Sequence, residues 1–88
     1  MANAPQTTGE LFKAKAVTDA DIAAAVDAFM ADPSTKGFAL GGAYRIDLLE
    51  TVNSNQFAAL IMQDPHANET HKRVAIRTAI LLARPEKV

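Results

Sequence analysis

AYRIDLLETVNSNQFAALIM, residues 43–62, is the stretch whose reading decides the fold. At a helical period, Tyr44, Leu48 and Val52 align at i, i+4, i+8, with Arg45 intruding on that apolar side. At a period of two, Tyr44, Ile46 and Leu48 face one way and Arg45 and Asp47 the other. The Asn53-Ser54-Asn55 cluster would then turn the chain into a second strand, Phe57–Met62. Against the hairpin, Phe57–Gln63 is rich in helix formers and Ser54 is a fair N-cap. The balance favours two short helices, near 43–52 and 55–63. The expected fold is mainly α: a small domain of three or four short helices with an extended N-terminal arm. The alternative is α+β with a central β-hairpin at about 43–62.

On the C-terminal side, Asp64 can cap a helix and Pro65 suits its first position. A helix over 65–83 would put Val74, Thr78, Ala79, Leu81 and Leu82 on one side, with Pro85 as its stop. On the N-terminal side, residues 33–42 read as a connector with Phe38 and Leu40 at its centre and Gly41-Gly42 at its end. Before it, Thr18 caps a helix over 19–32, with Asp19 and Asp21 in the first turn where the helix dipole favours anions. Val17 can staple onto Ile22. Ile22, Val26, Phe29 and Met30 form one apolar stripe, and Pro33 ends the helix. Residues 1–9 show no periodicity, and Leu11–Val17 alternates only weakly. Residues 1–17 are therefore expected to be an extended arm on a single globular unit, 18–88.

The chain has 88 residues and no Cys, so one domain must hold together without disulfides or thiolate metal sites. Eighteen residues are Ala. That favours helices, but the side chains are shallow and a lone core would be thin. No apolar run approaches the length that spans a bilayer, so no membrane partner is expected. Residues 1–10 lack the basic and apolar regions of a secretory signal. The expected location is the cytoplasm, or a particle assembled there.

Charge is sorted along the chain. Residues 18–64 carry seven acids and two bases, whereas residues 65–88 carry five bases and two acids. Lys72, Arg73, Arg77 and Arg84 are the candidate nucleic-acid-binding residues, and Arg73, Arg77 and Arg84 share a helical face at i, i+4, i+11. The net charge of −1 and the lack of interleaved aromatics weigh against that role. The bland alternative is a solvated face paired with the acidic body.

Catalytic chemistry has little to stand on. Asp64, His66, Glu69 and His71 are ligand-type residues, but two His five apart on a helix diverge by about 140°. No triad spacing and no phosphate-cradling glycine loop is present, so no catalytic, metal or cofactor site is expected. The expected function is a non-enzymatic interaction or assembly protein. It would be a small subunit or accessory factor packing on itself or a larger protein, for example in a phage or bacterial particle. Leu11, Phe12 and Phe38 are its candidate partner-binding residues. The alternative is a small nucleic-acid-binding regulator that uses the basic C-terminal helix.

Overall fold

The computed structural model describes residues 6–87, and among these the chain is mainly α. The helices are α1 (Thr8–Lys13), α2 (Asp19–Ala31), α3 (Leu48–Ser54), α4 (Gln56–Gln63) and α5 (Glu69–Leu82). Strands β1 (Gly37–Leu40), β2 (Tyr44–Asp47) and β3 (Glu86–Lys87) form a small antiparallel sheet in the order β1-β2-β3. One hydrophobic cluster joins all five helices to the inner face of β1 and β2. α5 lies at its centre, packing against α1, α2, α3 and α4.

α2 forms as its sequence dictates. Thr18 Oγ1 accepts the Asp21 N–H at 3.1 Å, and Asp21 Oδ2 accepts the Thr18 N–H at 2.9 Å, closing a capping box. Val17 and Ile22 are both fully buried, as a hydrophobic staple requires. Ile22, Ala25, Val26 and Phe29 are the buried face, while Met30 is half-buried against the core.

Residues 43–62 satisfy both periods in succession. The period-two segment is a strand, with Ile46 buried and Arg45 and Asp47 exposed. Its partner, however, is β1, in the register Phe38↔Ile46 and Leu40↔Tyr44. The hairpin thus spans 37–47 rather than 43–62. The turn is made by Gly41 and Gly42, both at positive φ (65° and 78°), a conformation glycine adopts without steric cost. Space also demands glycine at 41, since a Cβ there would lie 3.0 Å from the Ala16 carbonyl oxygen. The Leu48 N–H donates to the Lys36 carbonyl at 2.7 Å and closes the base of the hairpin. Helix then begins at Leu48, not at 43, because Asp47 caps α3 by accepting the Glu50 N–H at 3.0 Å. Asn55, rather than Ser54, caps α4 through the Ala58 N–H at 2.9 Å.

The arm assignment needs correction. Its first five residues lie outside the described ones, but Thr8–Lys13 is a helix and not an extended segment. Thr7 and Glu10 form a second capping box, with bonds of 3.1 and 2.9 Å. At its end, Ala16 N–H bonds Leu11 C=O and Lys15 N–H bonds Phe12 C=O, with Lys15 at φ 65°. This is a Schellman ending with Lys in the place usually taken by Gly. The Thr8 N–H donates to the Ala83 carbonyl at 2.8 Å, tying α1 to the end of α5.

The last helix also differs from its expected outline. Asn68 is the cap, accepting the His71 N–H at 2.8 Å, so α5 starts at Glu69 rather than Pro65. Asp64 instead accepts the His66 N–H at 2.8 Å in a local turn. The buried side is Ala75, Ile76, Ala79 and Ile80. Of the side read from the sequence, only Ala79 is buried, while Val74 and Leu82 face solvent. α5 is apolar in two directions, and the small Ala75 and Ala79 let the other helices approach it closely.

Two carboxyl groups tie the caps to pH. Hydrogen bonds from the Thr7 backbone and side chain hold Glu10 below its usual 4.5. The Ser34 hydroxyl and N–H hold Asp32 below its usual 3.8. A carboxyl depressed on folding contributes stability above its unfolded value and loses it as pH falls through its folded value. The thermal midpoint should therefore fall once pH drops below about 4.5, and Thr7→Val should flatten the upper part of that dependence. A midpoint unchanged down to pH about 3 would contradict these cap roles.

Candidate functional site

The exposed apolar side chains are concentrated on α4 and α5. Phe57 is 48 % exposed and Leu60 60 % on α4, and Val74 is 52 % and Leu82 64 % on α5. Phe57 and Leu60, three apart, share a face, and Val74 and Leu82 look outward from α5 two turns apart. The two helices pack side by side. Leu82 lines a small hollow with Ser54 and Asn55, which brings the end of α5 beside the start of α4. α4 reads QFAALIMQ and carries no charge. Only Ala58 is fully buried there, with Ile61 and Met62 half-buried against the core. Helices that are apolar all round are normally enclosed. This one is enclosed on one side only.

The residues singled out from sequence for partner binding are placed differently. Leu11 is 1 % exposed and belongs to the core, so it cannot meet a partner in this fold. Phe38 is half-buried against the same core. Phe12 alone of the three is exposed, at 37 %. Phe57, Leu60, Val74 and Leu82 were missed as a surface. The available signal was the unbroken uncharged run from Gln56 to Gln63, which holds more apolar residues than one helix face can bury.

The basic set is largely engaged within the chain. Arg73 binds Asp27 of α2 through Nη1 and reaches Glu69 at 3.3 Å, while Arg77 Nη2 meets Asp19 of α2 at 2.8 Å. The Asp27 bond first, then that to Glu69, raises the pKa of Arg73. Arg84 lies near enough to Glu10 to help lower that carboxyl. The basic segment therefore docks on the acidic helix, and α2 carboxylates border the stripe that would have to receive phosphates. These pairs are 37–73 % exposed and solvent-screened. Arg73→Ala is therefore expected to leave the urea midpoint almost unchanged. A large drop would mark the pair as structural.

His66 and His71 are both exposed. Among the described residues, no three of His, Asp and Glu converge as metal ligands, and no helix is long and apolar enough to cross a membrane. Compared with known proteins, the chain matches no family model, no curated protein and no solved structure.

Proposed function

We propose that this chain is a non-enzymatic interaction protein that self-associates through the outer face of α4 and α5, as a small subunit or accessory factor. The observation that carries the reading is the group of four half-exposed large apolar side chains on adjacent helices, bordered by an uncharged α4. A second copy is the favoured occupant because α4 offers no charge by which another partner could be selected. Two identical uncharged helices meet without setting like charges against each other, and symmetric pairs are the commonest oligomers.

The association should be concentration-dependent. Light-scattering mass across a dilution series should rise towards twice the 9.4 kDa of one chain. The double variant Leu60→Glu, Leu82→Glu should remain monomeric with an unchanged circular dichroism spectrum. A double variant that associates like the parent chain would reject the reading. A monomeric parent chain whose mass shifts only on adding DNA would favour nucleic-acid binding through Lys72, Arg73, Arg77 and Arg84.

A further inference from the structure

A cleft of about 630 Å³ opens between the outer face of the sheet, α3 and the segment after α5. Its charged lining is Lys36, Arg45, Asp47, Glu50, Arg84 and Glu86. Arg45 and Glu86 are direct cross-strand partners, a position in which opposite charges ordinarily pair. They do not pair here. The Arg45 guanidinium turns away across β1 and lies against Gly37, so close that a Cβ at 37 would stand 2.6 Å from Nη2 and 3.0 Å from Nε. Arg73 and Arg77 each meet a carboxylate, whereas Arg45 has none within ion-pair distance among the described residues. Asp47, also in the cleft, is occupied in capping α3.

Both signs of charge therefore line one cavity. The Arg45 head lies over β1, with Lys36 just before that strand and Asp47 opposite Gly37. Glu86 on β3, Glu50 on α3 and Arg84 in the segment after α5 complete the charged lining. The bare backbone of Gly37 seats the guanidinium, whose planar fork matches a carboxylate. From this we infer that the cleft binds a zwitterionic ligand of short-peptide type. Its carboxylate meets Arg45 and Lys36, and its ammonium group meets Glu50 and Glu86. This site is separate from the α4–α5 face, and neither reading depends on the other.

Gly37→Ala supplies a clean test. The three atoms nearest the new methyl group all belong to the movable end of Arg45, so it displaces the guanidinium while keeping every charge. The probe is trialanine, titrated at millimolar concentration into 15N-labelled protein and followed by amide shifts. Shifts should cluster at Gly37, Arg45, Asp47 and Glu86. They should weaken at least roughly tenfold for the C-terminal amide of trialanine and for the protein variants Gly37→Ala and Arg45→Ala, as loss of a charge-assisted bond requires. N-acetyl trialanine should weaken likewise through Glu50 and Glu86. No shifts at the cleft, or equal binding by the blocked peptides, would overturn the inference. Unchanged binding by a Gly37→Ala protein with a native spectrum would also overturn it.

Discussion

Phe29→Ala is expected to lower the free energy of unfolding by about 3–5 kcal/mol, the range for emptying a large aromatic from a closed core. The ring is 3 % exposed and sits at the end of the Ile22, Ala25, Val26 stripe. α2 packs against α5, β1 and α3, and Phe29 belongs to the hydrophobic cluster that these elements share. A close-packed core relaxes only partly into the space that losing the ring would leave. Domains of this kind have only about 5–15 kcal/mol in total, so the variant should be close to unfolding. Urea denaturation measures the change. A loss below about 1 kcal/mol would mean that the ring is not enclosed.

Leu11→Ala is expected to cost about 2–5 kcal/mol, a loss incompatible with a free arm. α1 has six residues, well short of the roughly 12–15 that make an isolated helix even marginal in water. Its helicity therefore depends on docking. Leu11 supplies that docking at 1 % exposure, beside Thr8, whose N–H is bound to Ala83. Amide exchange should quicken at Thr8 and Val17 in the variant. Unchanged exchange and unchanged stability would return the segment to an arm.

These two sites differ in how plainly the sequence announces them. At α2, the cap at Thr18, the acids of the first turn, the stripe to Phe29 and the stop at Pro33 all agree, so the helix was legible to within one residue. At α1 the capping box Thr7-Thr8-Gly9-Glu10 was present, but only Leu11 and Phe12 are large and apolar within the helix. A short helix held by tertiary contact leaves too little periodicity to outweigh Gly9. The same applies to Tyr44–Asp47. Four residues cannot separate a strand from a helix by period, and what decides is the positive φ of Gly41 and Gly42.

The candidate surface was legible in part. Sorted charge in the sequence left open whether the basic helix docks on the acidic body or reaches outward. The pairs Arg73–Asp27 and Arg77–Asp19 show docking. Which apolar side of α5 faces inward was not legible, because Val74, Leu81 and Leu82 compete with Ile76 and Ile80 at equal hydrophobicity. Packing resolved it. Ala75 and Ala79 flank the inner isoleucines and allow close helix approach, which leaves the other side uncovered.

Self-association through α4 and α5 is tested most directly by isotope-filtered NOE spectroscopy on an equimolar mixture of 13C-labelled and unlabelled chains. Only contacts between two copies give signals. Cross-peaks should connect the methyl groups of Leu60, Val74 and Leu82 to their own face on the unlabelled chain, with the Phe57 ring among them. Intermolecular peaks arising instead at Phe12, or none at concentrations where the mass has doubled, would contradict the account.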